Sequence, residues 1–491
     1  MRLATLLFVL AAALSARPSA AQPVACVDGA AGDHACANAT LLAHLPLQAF
    51  SSQAGNDIWG WTDPVTGREY ALMGLADGIG FVDVSDPTTP VYLGKLPTHT
   101  VATIWRDVKV LGDYAFVVSE AENHGMQVFD LARLRDVAPT QAPMEFEADA
   151  HYDTVGQSHN VFVNEATATA FIVGNRGPQG CAGGLHMVDV SNPLAPEFAG
   201  CFAEDGYTHD VQCVIYDGPD ADYRGQELCF AANEDTVTIA DVTDRESPTM
   251  LSQAIYPNTA YTHQGWLTED HRFFIANDEL DEQRYNLETR TLIFDVSDLD
   301  EPEFVGTYLS GLPAVDHNLY IRGDAIYEAN YRSGLRVLDA SNVAEGELRE
   351  VAFFDSFPND NAAQFGGAWS TYPFFKSGTT LISDMQGGLF LVRIERPEPL
   401  MLEALDAFAF GGGVDLAWTL SEGEAVEQVT VQRLIGDTFA DAGTVRAAPG
   451  RASYRYRVTD APVGEQTFRL RAVDASGMTV YSEPVTVEVM R

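Results

Sequence analysis

The chain has 491 residues, of which 70 are acidic and 29 are basic, and its formal net charge is -41. A chain of this length exceeds one ordinary domain, so we expect two or more domains or an array of repeats. The strong negative charge repels phosphate backbones, which excludes nucleic acid as a main partner.

The first 21 residues have the composition of a signal peptide. Arg2 precedes an apolar stretch over 3–14, and small residues at 19–21 precede the expected cleavage point. No segment of the chain reaches the ~18 consecutive apolar residues of a membrane helix. We therefore predict that residues 1–21 are removed and that the protein is exported to the cell surface or the extracellular space, with the periplasm as an alternative. A surface-associated protein without a transmembrane span fits these features.

A short strand that ends in an Asp-containing turn recurs along the chain. Its copies lie at 81–87, 128–130, 187–193, 239–244, 293–298, 337–342 and, in a weaker form, 389–394. They are spaced at roughly 50 residues, which leaves room for four strands per unit and is typical of β-propeller blades. We predict an all-β fold with a seven-bladed β-propeller over 22–397. The segment 41–47 is expected to complete the last blade and close the ring.

A second marker repeats in phase with the first and opens the first strand of each unit: Gly60, Arg106, His159, His209, His263, His317 and Gly366. First strands line the channel of a propeller, so these side chains should gather at one mouth. The candidate binding residues there are Arg106, Asp107, His159, His209, Asp210, His263 and His317.

Three interpretations of this mouth remain open. Imidazole and carboxylate groups together are ligands for a divalent metal ion such as zinc or manganese, with calcium as a further candidate. The candidate ligands are His159, His209, His263, His317, Glu234 and Asp278. The same groups could act as general acid and base, or they could only satisfy backbone groups in the channel.

Two acidic loops, at 217–222 and 278–282, do not follow the ligand spacing of a helix-loop-helix calcium site. We expect both loops to be solvated.

The six cysteines fit an oxidising compartment. Cys213 and Cys229 lie on the two strands of one predicted hairpin, at positions that face each other. Cys26 with Cys36 and Cys181 with Cys201 are then the pairs that are close in sequence. Buried free thiols remain the alternative.

From about residue 400 the repeat gives way to a different pattern of β-strands. Residues 398–491 contain a Trp on a predicted strand, Trp418, and a turn at 462–464, and they resemble a fibronectin type III sandwich. Phe468 stands where such modules usually carry a Tyr.

The recurring strand resembles the LVIVD repeat of bacterial surface proteins. The runs 180–190, 207–213, 261–266 and 278–281 resemble the choice-of-anchor B family, over roughly residues 25–397. This resemblance implies an exported repeat region followed by varied C-terminal anchoring modules, in a family without a settled activity. We therefore expect a binding or scaffold protein for a protein, glycan or small-molecule ligand. The alternative is a metal-assisted, lactonase-like hydrolase that uses the His/carboxylate cluster.

Overall fold

A computed structural model describes residues 22–138, 140–175, 180–395, 402–410, 413–420, 428–436, 438–446, 453–459, 461–473, 479–482 and 484–489. The predicted signal peptide, residues 1–21, lies outside this range. The chain divides into two compact units, Met1–Glu395 and Arg396–Arg491.

The first unit is built almost wholly of strands. In chain order these are β1 (Val24–Ala25), β2 (Ala30–Ala31), β3 (His34–Ala37), β4 (Ala39–Leu45), β5 (Gly55–Thr62), β6 (Glu69–Leu75), β7 (Gly78–Asp83), β8 (Val91–Pro97), β9 (Arg106–Leu111), β10 (Tyr114–Ser119), β11 (Met126–Asp130), β12 (Met144–Glu145), β13 (Ala150–Tyr152), β14 (Asn160–Asn164), β15 (Thr169–Val173) and β16 (Leu185–Asp189). They continue with β17 (Glu197–Phe202), β18 (Asp210–Ile215), β19 (Glu227–Ala232), β20 (Val237–Asp241), β21 (Thr249–Ala254), β22 (Thr262–Leu267), β23 (Phe273–Asp278), β24 (Arg290–Asp295), β25 (Glu303–Leu309), β26 (Leu319–Arg322), β27 (Ala325–Ala329), β28 (Leu335–Asp339), β29 (Arg349–Phe354), β30 (Ala368–Tyr372), β31 (Thr379–Asp384) and β32 (Gly388–Ile394).

Helices are few and short among the described residues. One α-helix, α1, spans Asp281–Tyr285, and the 3-10 helices span Leu47–Phe50, Leu131–Asp136, Cys181–Gly183 and Val343–Glu345. None of the described helices has the length and apolar character needed to cross a membrane.

Within its described residues, the first unit forms seven small, mainly antiparallel sheets. Their strand orders are β5-β6-β7-β8-β12, β9-β10-β11-β13, β14-β15-β16-β17, β18-β19-β20-β21, β22-β23-β24-β25, β26-β27-β28-β29-β3-β2 and β30-β31-β32-β4-β1. The first-named strand of each sheet contacts the first-named strand of the next, and β30 contacts β5. These seven strands therefore form a closed cycle, and we call them the inner strands.

The recurring Asp makes the same turn in successive sheets. Its Oδ1 accepts a hydrogen bond from the backbone N two residues later, at Asp83, Asp189, Asp241, Asp295 and Asp339, over 2.8–3.1 Å. The pairing of each of these third strands with the fourth strand also shifts register just before the Asp. The repeat is thus a side-chain-capped turn after a bulged strand pair.

The second sheet departs from this pattern at Asp130. There the sequence continues Leu-Ala-Arg instead of Ser-Asp-Pro, and Asp130 Oδ1 accepts from the backbone N of Ala132 at the start of a 3-10 helix. The fourth strand of this sheet, β13, is only three residues long.

The apolar core of the first unit is divided among the sheet interfaces. One cluster of buried residues joins each sheet to the next, and a further cluster joins the seventh sheet to the first through Leu42, Ile58 and Leu381. The buried apolar residues therefore lie between neighbouring sheets around the cycle rather than in one central cluster.

The two ends of the first unit meet in its last sheet, as the sequence predicts. Strand β4 pairs antiparallel with β32, with Leu45 opposite Leu389 and Thr40 opposite Arg393. Strand β3 also pairs with β29 of the neighbouring sheet. The N-terminal segment thus binds two consecutive sheets.

All three predicted disulfides are present: Cys26–Cys36, Cys181–Cys201 and Cys213–Cys229. Cys213 and Cys229 lie directly opposite each other on β18 and β19. The strand register therefore explains this pair.

One position of the second sequence marker is out of phase. Gly60 is the sixth residue of β5 rather than its first, because β5 begins at Gly55 and its pairing with β6 is irregular between Gly55 and Ile58. The other six marker positions lie at, or within two residues of, the start of an inner strand.

The described parts of the second unit contain eight strands: β33 (Leu402–Phe410), β34 (Gly413–Leu420), β35 (Gln428–Ile435), β36 (Thr438–Arg446), β37 (Ser453–Val458), β38 (Gly464–Val473), β39 (Thr479–Tyr481) and β40 (Val485–Val489). They form one sheet in the order β33-β34-β37 and another in the order β36-β35-β38-β39, in which β40 also pairs with β38. Trp418 and Phe468 belong to one buried cluster within this unit.

Candidate metal centre

Four histidines lie side by side along the inner strands of four consecutive sheets. His159 and His209 directly precede β14 and β18, His263 is the second residue of β22, and His317 lies two residues before β26. The ring centroids are 4.1 Å apart for His159–His209, 4.3 Å for His209–His263 and 4.3 Å for His263–His317. The sequence-predicted histidines therefore form one continuous row.

Three of these rings are held by hydrogen bonds at Nδ1. The acceptors are Glu120 Oε1 for His159 at 2.6 Å, the backbone O of His263 for His209 at 3.0 Å, and the backbone O of Trp369 for His317 at 2.5 Å. A neutral imidazole that donates from Nδ1 keeps a lone pair on Nε2. This is the tautomer and the support that a metal-ligating histidine requires.

Burial keeps His209, His263 and His317 neutral. It lowers the pKa of His209 and of His263 well below the ordinary value, and lowers the pKa of His317 to about 3. Because only the neutral ring can bind a metal ion, these lone pairs are available at neutral pH.

Glu279 supplies a carboxylate beside the row. Its Oε1 lies 3.6 Å from Nε2 of His317, and its Oε2 lies 3.9 Å from Nε2 of His263. The hydroxyl of Tyr331 donates to Oε1 at 2.7 Å. Burial raises the pKa of Glu279 to about 7.

One ligand atom each from His209, His263 and Glu279 lies within 4.8 Å of the other two. Two imidazole nitrogens and one carboxylate oxygen suit zinc, manganese or iron, whereas calcium prefers oxygen ligands alone. We call His209, His263 and Glu279 the histidine site.

Arg106 does not face an incoming anion. Its guanidinium donates to the backbone O of Leu75 at 3.1 Å and to Thr98 Oγ1 at 2.7 Å, and it lies 2.9 Å from His124 Nε2. The residue is 2% exposed. Its side chain therefore braces the loops around the start of β9 instead of binding a ligand.

Asp107 and Asp210 belong to a different cluster around Lys109. Lys109 Nζ donates to Asp107 Oδ1 at 2.5 Å and to Asp57 Oδ2 at 3.1 Å. Asp210 also acts electrostatically on Lys109, and burial raises the pKa of Asp210 to about 7. These carboxylates surround a buried ammonium group and lie outside the histidine site.

Aromatic side chains pack against one another about three residues further along the inner strands. Trp59 contacts Tyr320 with a centroid distance of 5.6 Å, and Trp266 contacts Tyr320 at 5.0 Å. Lys109 Nζ lies 4.7 Å from the centroid of Trp59. Since a strand rises about 3.3 Å per residue, this packing lies roughly 10 Å from the histidine row. These aromatic side chains therefore lie on one side of the histidine row, further along the inner strands.

The two carboxylates predicted as metal ligands lie outside the histidine site. Asp278 accepts hydrogen bonds from the Tyr256 hydroxyl and from the backbone N of residues 260, 261 and 280, so both of its oxygens are occupied. Glu234 is exposed, with a backbone φ of 66°. The structure brings Glu279 to the histidines in place of Asp278.

Sequence reasoning selected Asp278, whereas the structure places the adjacent Glu279 beside the histidines. A signal was available, because Glu120 directly follows β10 just as Glu279 directly follows β23. Both side chains meet histidines of the row. The residue one position past the second strand is therefore the one to select. Tyr331 carries no comparable signal in the sequence.

The sequence contains LVIVD repeats, which match residues 104–125 and 181–203. The first match spans β9 and β10, and the second contains β16 and β17. No curated protein matches the chain.

Three solved structures resemble the fold. A functionally unknown protein from Desulfotomaculum acetoxidans is 11% identical, with a TM-score of 0.43 over 63% of this chain and 87% of that one. The extracellular domain of a putative one-component system from B. thetaiotaomicron is 12% identical, with a TM-score of 0.43 over 92% of this chain and 58% of that one. A protein from Lactobacillus plantarum is 11% identical, with a TM-score of 0.44 over 82% of this chain and 99% of that one.

Proposed function

We propose that this is an exported binding protein whose channel mouth holds a divalent transition-metal ion in the histidine site. The observation that carries this proposal is the convergence of neutral, buried imidazoles on the Glu279 carboxylate within 4.8 Å. In such a site the metal ion would present open coordination positions to a ligand donor atom. The ligand itself, whether protein, glycan or small molecule, would be held at the rim of the mouth.

The proposed architecture is a seven-bladed β-propeller over residues 22–397, followed by a fibronectin type III-like domain over 398–491. The closed cycle of inner strands and the buried clusters between neighbouring sheets support the propeller. The two sheets of the second unit and their shared buried cluster support the sandwich. Membership of the choice-of-anchor B family belongs to the same proposal.

Export is supported by the three disulfides, since such bonds persist in oxidising compartments. The proposal includes removal of residues 1–21 as a signal peptide. Location at the cell surface or in the extracellular space is the corresponding proposal.

The metal proposal is tested on residues 22–491 produced with intact disulfides. After treatment with a chelator, separate calorimetric titrations with Zn²⁺ and with Mn²⁺ should each show one ion bound per chain. His209→Ala and His263→Ala should each weaken the affinity by at least about 100-fold, because each removes a direct ligand. Glu279→Gln keeps the size of the side chain and should weaken binding similarly.

The matched control is His271→Ala, which removes an imidazole that packs against Tyr216 away from the row. This variant should bind metal like the wild type. The proposal fails if the wild-type protein binds no stoichiometric metal, or if Glu279→Gln binds it unchanged.

The comparisons do not favour the alternative of a metal-assisted hydrolase. That alternative requires turnover of a lactone or ester by the metal-loaded protein and loss of turnover in Glu279→Gln. A binding protein should show neither.

A further inference from the structure

The Cys181–Cys201 disulfide joins one buried and one exposed cysteine. Cys181 is 7% exposed, whereas Cys201 is exposed in β17, the last strand of its sheet. No cysteine of the other two disulfides is exposed. In particular, Cys213 and Cys229 are 1% and 0% exposed. A reagent in solution can therefore approach the Cys181–Cys201 bond from its Cys201 side, whereas the Cys213–Cys229 bond is enclosed.

A histidine contacts the buried sulfur of this disulfide. The Sγ of Cys181 lies 3.8 Å from Nδ1 of His186, and the hydroxyl of Tyr152 lies 2.9 Å from Nε2 of the same ring. His186 is 0% exposed and lies directly opposite Cys201 in the pairing of β16 with β17. When the Tyr152 hydroxyl donates to Nε2, the neutral ring carries its proton on Nδ1. The imidazole then offers an N–H donor to the sulfur of Cys181.

The two sulfurs are thus suited to different roles in thiol–disulfide exchange. In this reaction a thiolate attacks one sulfur of the disulfide, and the other sulfur leaves as a thiolate. The rate rises with access to the attacked sulfur and with the stability of the leaving thiolate. A hydrogen-bond donor beside a sulfur stabilises its thiolate form. Cys201 has the access and Cys181 has the donor, so attack at Cys201 is favoured.

We propose that the Cys181–Cys201 disulfide is an exchange site, at which a low-molecular-weight thiol forms a mixed disulfide with Cys201. The sulfur of the external thiolate bonds to Sγ of Cys201, and the bond between Cys201 and Cys181 breaks. The electron pair of that bond stays on Cys181 as a thiolate, and the proton of the external thiol passes to solvent. One disulfide replaces another, so the step needs no further oxidant or reductant. Attack of the Cys181 thiolate on the mixed disulfide restores the original bond.

Opening this bond has a consequence for the segment that leads to the histidine row. Cys181 begins the 3-10 helix Cys181–Gly183, and the backbone O of Gly183 accepts a hydrogen bond from the backbone N of Thr208 at 3.1 Å. Thr208 directly precedes His209. The disulfide holds this helix against β17, so exchange at Cys201 loosens the partner of Thr208. This effect concerns the backbone and requires no bound metal ion.

The test uses the full mature chain, residues 22–491, with intact disulfides and with reduced glutathione as the probe, at neutral pH and without denaturant. After acid quenching and alkylation of free thiols, peptide mass spectrometry should find glutathione on Cys201 and the alkyl label on Cys181. Cys213–Cys229 in the same sample is the internal control and should stay intact. In the modified protein, hydrogen exchange should be faster in the peptide that contains Thr208.

Variants of His186 test the role of the donor. His186→Leu removes the N–H group and should slow exchange at Cys201 by about tenfold or more, because the leaving thiolate loses its stabilisation. His186→Asn places an amide nitrogen near the position of Nδ1 and should retain much of the rate. The matched control is His271→Leu, which removes an imidazole that packs against Tyr216 and should exchange like the wild type.

Continued resistance of Cys213–Cys229 to glutathione shows that the His186→Leu variant is folded. The proposal is overturned if the wild type forms no mixed disulfide, if Cys213–Cys229 opens as fast as Cys181–Cys201, or if His186→Leu exchanges at the wild-type rate. Unchanged hydrogen exchange around Thr208 would overturn the link to the segment that carries His209.

Discussion

Tyr331 shows how single residues organise the mouth. Its backbone φ of 34° is unusual for a residue with a side chain, and such a conformation persists only when neighbouring contacts enforce it. Here the ring packs against His317 at a centroid distance of 4.6 Å, and the hydroxyl donates to Glu279. Tyr331 is therefore a positioning residue that fixes both an imidazole and a carboxylate.

Glu328 provides a pH-dependent test at the same scale. It is buried in β27, where Thr291 Oγ1 donates to Oε1 at 2.6 Å and Asn330 Nδ2 donates to Oε2 at 3.1 Å. Burial nevertheless raises its pKa from 4.5 to about 7. The folded state thus binds this proton more tightly than the unfolded state does.

It follows that the free energy of unfolding of the wild type should fall as pH rises from 4.5 to 7 on account of Glu328, and remain lower above pH 7. Glu328→Gln cannot titrate, so its stability relative to the wild type should improve across this window by up to about 3 kcal/mol. Denaturant unfolding at a series of pH values measures the difference. Glu347→Gln, which removes an exposed carboxylate, is the matched control. A difference for Glu328→Gln that is independent of pH would refute the assignment.

At the scale of elements, strand β4 links the two ends of the first unit. Strand β4 contributes buried Leu42 and Leu45 to the cluster that joins the last sheet to the first. Without it, β32 would present an unpaired edge.

Deletion of residues 39–45 should therefore lower the melting temperature by at least about 10 °C, since two buried leucines alone contribute several kcal/mol. Calorimetry of the deletion variant checks this. Deletion of residues 22–25, which removes only the exposed strand β1, should have little effect. An unchanged melt after loss of β4 would show that its pairing does not hold the ring closed.

Much at the element scale is predictable from the sequence because it repeats locally. Each Asp turn is fixed by a hydrogen bond two residues away, so its position can be read without the rest of the fold. Cys213 and Cys229 follow from hairpin register in the same way.

What the sequence does not reveal are contacts set by irregular segments. Asp278 and Glu279 are adjacent acids, and only the course of the loop after β23 decides which one meets His317. The Arg106 guanidinium donates hydrogen bonds to Leu75 at the end of β6 and to Thr98 in the loop after β8, contacts that the repeat does not predict. The sequence predicts that loop 278–282 is solvated, and this prediction is wrong because α1 packs Glu282 inward.

For the whole molecule, the way the buried apolar residues divide between the two units decides whether each unit can fold alone. Every buried cluster assigned among the described residues lies within one unit, and the cluster around Trp418 is confined to the second. Each unit thus has the apolar interior that independent folding requires.

Residues 22–395 should consequently fold alone, retain one transition-metal ion per chain, and melt within a few degrees of the corresponding transition in the full chain. Circular dichroism melts and metal analysis of the truncated protein give the measurement. Aggregation or loss of cooperative melting in this fragment would mean that the first unit depends on the second.

The pairing of the two ends of the first unit also sets the order in which its parts can fold during synthesis. The Thr40 hydroxyl donates to Glu395, a residue 355 positions later. Strand β4 likewise pairs with β32, which is synthesised near the end of the first unit. The earliest part of the unit to be synthesised is thus the last to find its partners, which makes folding slow and dependent on synthesis of the whole first unit. A prematurely terminated product would keep an open strand edge, and this edge would mark it for proteolysis before it could accumulate.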